Sequence, residues 1–68
     1  MKISARNQMQ GRVVEVRKGQ TTAHIRMDIG GGVLITSSIT NEAVDELGLA
    51  VGDKITAIVK ASDVMVGK

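Results

Sequence analysis

Between Thr22 and Ile29 polar and apolar residues alternate without a break. Ala23, Ile25, Met27 and Ile29 fall on one face of an extended chain, and Thr22, His24, Arg26 and Asp28 on the other. A period of two does not suit an amphipathic helix; it requires a sheet with one face on a core and the other in water. Turn residues bound the segment on both sides, Lys18-Gly19-Gln20 before it and Gly30-Gly31-Gly32 after it. Its neighbours in sequence are therefore set up to return alongside it as further strands.

Those neighbours carry strand signals of their own. Arg12-Val13-Val14-Glu15-Val16-Arg17 follows Gly11 and a polar extended segment over residues 3–10. Glycine within a strand pattern marks a bulge or bend. The reading is one long first strand bent at Gly11, with an N-terminal arm that leaves its own barrel. Val33 to Ile39 forms a third strand, polar toward its end. Thr40 is suited to N-cap a short helix from Asn41 to Leu47, with Glu42 in its first turn and Gly48 as its stop. A turn over residues 49–53 leads to a fourth strand, Lys54 to Lys60, whose Ile55, Ala57 and Val59 share a face. A short fifth strand is expected at Asp63 to Val66. Three strands, a short helix and two strands make the layout of a small five-stranded OB-like barrel, an all-β domain spanning residues 1–68.

A chain of 68 residues is short for such a core. Domains below about 70–80 residues usually need disulfides, a metal, oligomerisation or unusually good packing. There is no cysteine and a single histidine, and no carboxylate-rich loop has calcium-site spacing. Oligomerisation is the remaining support. The 43% hydrophobic content is entirely aliphatic residues, alanine and methionine, which suits subunit contacts resembling a divided core.

The absence of Phe, Tyr and Trp bears on function as well. Barrels that grip single-stranded nucleic acid stack bases on aromatic side chains, each worth roughly 1–3 kcal/mol. Nine basic residues are interleaved with seven acidic ones, so no phosphate-tracking stripe stands out in the sequence. No nucleic-acid partner is expected, and an OB-type nucleic-acid module is the alternative kept open. No apolar run approaches the roughly 20 residues that cross a bilayer, and no signal-peptide core begins the chain. The expectation is a cytoplasmic protein with no membrane partner.

Candidate sites narrow quickly. Gly30-Gly31-Gly32 is followed by neither a P-loop nor a dinucleotide motif and reads as a flexible hairpin turn. His24 lacks a Ser, Cys or Asp partner at a legible spacing and reads as a surface or interface histidine. Met27 and Met65 read as core filler, and Met9 as a subunit contact. Asp45, Glu46 and Asp53 look like helix-face and turn acids, so no enzyme is expected.

What remains is three donor-rich points. Ser4-Ala5-Arg6-Asn7 sets a hydroxyl and a guanidinium two positions apart, on one face if the segment is extended, an arrangement suited to a small oxyanion. A solvated terminal arm is the alternative. Lys60-Ala61-Ser62 brings an ammonium, a hydroxyl and unpaired backbone amides to a strand exit; the alternative is a solvated strand end. Thr40, with the first helix amides behind it, is the third.

Ser4-Ala5-Arg6-Asn7-Gln8, Val51-Gly52-Asp53-Lys54 and Lys60-Ala61-Ser62-Asp63-Val64-Met65 together resemble molbindin, the stand-alone Mop domain of bacterial molybdate-handling proteins, from end to end of the chain. The resemblance implies an OB-like barrel, a dimer formed by exchange of N-terminal strands, and a hexamer built as a trimer of such dimers. It also implies molybdate or tungstate bound as an oxyanion between subunits, for storage and homeostasis, with no organic cofactor. Under it, Ser4 and Arg6 hold the anion from one subunit; Lys60, the Ala61 amide and Ser62 hold it from the partner. Thr40 matches a threonine in the molybdate-responsive regulators, whereas a serine found three positions later in those proteins is Ala43 here. A molybdenum–pterin ligand, also associated with this family, would want a flat apolar slot, and no aromatic is present to form one.

Overall fold

The alternating stretch forms β2 (Thr22–Asp28), with Ala23, Ile25 and Met27 buried and the residues between them exposed. A computed structural model, describing residues 1–68, places it second in a four-stranded antiparallel sheet of order β3-β2-β1-β4. The other strands are β1 (Asn7–Lys18), β3 (Leu34–Thr40) and β4 (Lys54–Val59). Helix α1 (Asn41–Leu47) lies between β3 and β4, and a single 3-10 turn, Ala61–Asp63, follows β4. The sheet curls into a half-barrel.

The curl is made by β1, which changes partners along its length. Asn7 to Arg12 pair with β4, from Asn7↔Val59 to Arg12↔Lys54, while Arg12 to Lys18 pair with β2. The register slips between Val13 and Glu15, making Val14 the extra residue of a bulge and leaving it 43% exposed. Bulges bend a strand and increase its twist. The irregularity thus falls at Val14, not at Gly11 as the sequence suggests. Gly11 has another role: a Cβ there would lie 2.4 Å from the Asp28 carbonyl oxygen, so its bare backbone lets the end of β2 come close.

Helix α1 is set by its caps. The Thr40 hydroxyl accepts from the Ala43 N–H at 3.0 Å, and Gly48 ends the helix in the left-handed region at φ 61°. The Asn41 N–H donates to the Thr21 carbonyl at 2.8 Å and its side-chain amide to the Gly19 carbonyl at 2.9 Å, which fastens the helix start to the β1–β2 turn. Val44 then faces the sheet and completes a core of six buried residues with Val13, Ala23, Ile25, Met27 and Ala57.

Several expectations are corrected. The fifth strand at Asp63–Val66 does not form: the Asp63 N–H donates to the Lys60 carbonyl at 2.9 Å and the Val64 N–H to Ala61 at 3.3 Å. The local turn uses backbone groups that a ladder would need. Without a closing strand the barrel stays open between β3 and β4, over an apolar cleft of about 280 Å3 lined in part by Ile35, Ile39, Leu49 and Ile55. Met65 is 93% exposed and is not core filler of its chain, while Met9 is half-buried against the core. Within the single chain, β1 pairs with β4 from Asn7 onward and residues 1–6 lie beyond the ladder, a pairing that an exchanged first strand would make equally with a partner's β4.

Candidate oxyanion site

Antiparallel pairing of β1 with β4 ends at Asn7↔Val59. One step further the chain leaves the ladder at Arg6 on one strand and at Lys60 on the other. The two donor-rich segments, far apart in sequence, therefore emerge at the same end of the sheet. Two hydrogen bonds shape that end. The Asn7 side-chain amide donates to the Val59 carbonyl at 3.2 Å, clamping the last residue of β4, and the Gln8 amide donates to the Ala5 carbonyl at 3.0 Å. The second bond holds the Ser4–Arg6 segment in a bend. Strict alternation therefore does not describe this segment.

Past Val59, Lys60 is still extended, at φ −61° and ψ 138°, and the 3-10 turn begins at Ala61. Hydrogen bonds within that turn start at the Asp63 amide. The Ala61 and Ser62 amides thus have no acceptor inside the turn and remain donors for another group. Ser4, Arg6, Lys60, Ala61 and Ser62 are all exposed. A guanidinium, an ammonium, hydroxyls and amides at one strand end can hold a small anion by charge-assisted hydrogen bonds. In one chain such an anion has donors on one side and water on the other, and water screens the attraction strongly.

Thr40 lies elsewhere. It pairs with Thr22, at the end of β2 next to the Ala23↔Lys18 pair, whereas Arg6 is beyond the other end of β1. Within one chain the expected set therefore divides into five residues at one end of the sheet and Thr40 at the other. Asn7 and Gln8 act here as positioning residues for the backbone, a role that sequence reading missed. The available signal was their place directly after Ser4-Ala5-Arg6.

The other candidates occupy structural positions. Gly30, Gly31 and Gly32 all have positive φ and form the β2–β3 turn, where the Asp28 carboxylate accepts from the Gly30 N–H at 2.8 Å. His24 is exposed on the outer face, between Arg17 and Ser38. Asp45 pairs with Lys18, and Asp53 accepts from the Ala50 N–H. No three His, Asp or Glu side chains gather where they could hold a metal ion. No helix is long and apolar enough to cross a membrane.

The chain is similar to known proteins along nearly all of its own length. The family model of the TOBE domain matches residues 3–66. A probable molybdenum-pterin-binding protein of Haemophilus influenzae is 51% identical over 67 residues, which are 98% of this chain and 97% of that protein. The solved structure of a molybdate-binding protein from Sporomusa ovata superposes with a TM-score of 0.93 at 44% identity, over 100% of both chains. The cytoplasmic molybdate-binding protein ModG, solved with molybdate bound, superposes with a TM-score of 0.91 at 42% identity, over 96% of this chain and 46% of its own.

Proposed function

The chain belongs to the TOBE-domain family, in its molbindin or Mop group, and from that premise we propose that it binds molybdate as an intact oxyanion between subunits of a homo-oligomer, as a cytoplasmic reserve of molybdenum. The observation that carries this reading is the emergence of Arg6 and Lys60 side by side past the Asn7↔Val59 pair. The two relatives of solved structure named above, both molybdate-binding by description, support it.

Molybdate is a tetrahedral dianion and needs donors on every side. Where two chains exchange their first strands, the same β1–β4 pairing sets Ser4 and Arg6 of one subunit against Lys60, the Ala61 amide and Ser62 of its partner, and these supply the donors. Thr40, distant from these residues in its own chain, contributes from a neighbouring subunit. Tungstate has the same shape and charge and binds in the same way. The half-open barrel supports the oligomer: Val64, Met65 and Val66 are 51%, 93% and 94% exposed, and an apolar cleft is left uncovered. The assembly we propose is a hexamer of three strand-exchanged dimers. The oxyanion itself is the ligand, with no organic cofactor, since no aromatic side chain is present to stack on a pterin.

Isothermal titration with sodium molybdate tests the reading. Arg6→Ala and Ser62→Ala each weaken binding at least tenfold while the protein stays folded, because each removes a donor to a charged ligand, worth about 1.5–3 kcal/mol. Unchanged affinity in both variants removes the site. Sulfate has the same charge, so selectivity lies in cavity size; equal affinity for sulfate contradicts a dedicated molybdenum store. A gel shift with single-stranded DNA at moderate salt addresses the nucleic-acid alternative, and the expected result is no shift.

A further inference from the structure

Lys60 and Arg6 each follow a peptide unit whose carbonyl is held by a carboxamide side chain. The Asn7 amide donates to the Val59 carbonyl at 3.2 Å, and that carbonyl belongs to the peptide unit leading into Lys60. The Gln8 amide donates to the Ala5 carbonyl at 3.0 Å, in the peptide unit leading into Arg6. A peptide unit is planar, so holding its oxygen fixes the direction of the N–H and Cα on its far side. Each cationic residue thus departs from a backbone plane that a carboxamide has set.

The two bonds reach the strand end from opposite faces of β1. Asn7 shares a face with Met9, which packs against the core, and is half-buried; Gln8 shares the other with Gln10 and is exposed. Asn7 bridges β1 to β4 and sets the spacing between the two donor segments. Gln8 acts within the first segment and sets its bend. They are the only side-chain hydrogen bonds made to residues 1–6 or 59–62. Where first strands are exchanged, the Asn7–Val59 bond passes from one subunit to its partner and fixes the spacing across the interface.

We infer, on the premise of the oxyanion site proposed above, that Asn7 and Gln8 are positioning residues that set its width and so its selectivity for molybdate over sulfate. The two anions share charge and tetrahedral shape, and molybdate is the larger. Donors on a held backbone keep a fixed separation and meet the larger anion at hydrogen-bond length; around the smaller one the same bonds are stretched and weaker. Once either carboxamide is lost, the donor segments can close in on sulfate. The penalty against sulfate shrinks while molybdate loses its fitted donors.

The test is isothermal titration of the full chain with sodium molybdate, tungstate and sulfate, paired with melting curves. The proteins are wild type, Gln8→Met, Asn7→Leu and Arg6→Ala. Methionine and leucine roughly keep the shape of the side chains they replace and cannot donate. The molybdate-to-sulfate affinity ratio falls about threefold or more in Gln8→Met and in Asn7→Leu, the worth of one hydrogen bond. A general loosening of the fold lowers both affinities together, so the ratio reports the width of the site. Tungstate, matched to molybdate in size, follows molybdate in every variant. Gln8 is exposed, so Gln8→Met carries the test alone if Asn7→Leu fails to fold. An unchanged ratio in the variants that fold overturns the selectivity role, as does a wild type that binds molybdate and sulfate equally. Wild type that binds molybdate no better than Arg6→Ala overturns the site itself, a result distinct from an intact site with an unchanged ratio.

Discussion

A methyl group at position 11 would sit 2.4 Å from the Asp28 carbonyl oxygen, and that oxygen belongs to a backbone that cannot swing away like a side chain. Gly11→Ala therefore forces β1 and β2 apart where β1 changes partners. The expected loss is about 1–3 kcal/mol. In a domain of this size that lowers the melting temperature by several degrees or more. A circular-dichroism melt identical to wild type contradicts the contact. Thr40 makes a second prediction at this scale. Its hydroxyl caps α1, so Thr40→Ala costs about 1 kcal/mol in urea denaturation, while Thr40→Ser, which keeps the acceptor, costs much less. Equal losses in the two variants mean that the cap is not what the threonine supplies.

At the scale of elements, what was legible in the sequence was what local rules encode. The alternation from Thr22 to Asp28, the cap at Thr40 and the stop at Gly48 act over a few residues, and β2 and α1 formed where they pointed. The fifth strand failed for the opposite reason. Val64 and Val66 favour extended backbone, but a strand needs an edge to pair with, and the 3-10 turn at Ala61–Asp63 takes up the backbone groups first. The donors Ser4, Arg6, Lys60 and Ser62 were legible as residues, whereas their shared position follows only from the β1–β4 register. The Lys18–Asp45 ion pair joins β1 to α1 with both side chains largely exposed, at 45% and 67%. Exposed pairs contribute about 0–1 kcal/mol. Asp45→Asn thus shifts stability by less than about 1 kcal/mol, and the shift shrinks in high salt; a larger loss indicates that the pair is shielded from solvent.

The whole molecule is a half-barrel with only six buried residues and an uncovered apolar cleft. Surface of that kind seeks a partner. Joint replacement of Val64, Met65 and Val66 by serine should lower the assembly's mass in light scattering without changing the fold of each chain. An unchanged mass takes the tail out of the interface. Because the proposed anion site and the interface share residues, ligand and assembly are linked. At a hundredfold excess over its dissociation constant, molybdate stabilises the folded assembly by about 2.7 kcal/mol per site. Native mass spectrometry with and without molybdate reads subunit number and bound anions in one spectrum, and is the most direct test of the central claim. The expected result is a hexamer that gains whole molybdate ions, with the gain sharply reduced in Arg6→Ala. A monomer that takes up no molybdate contradicts it.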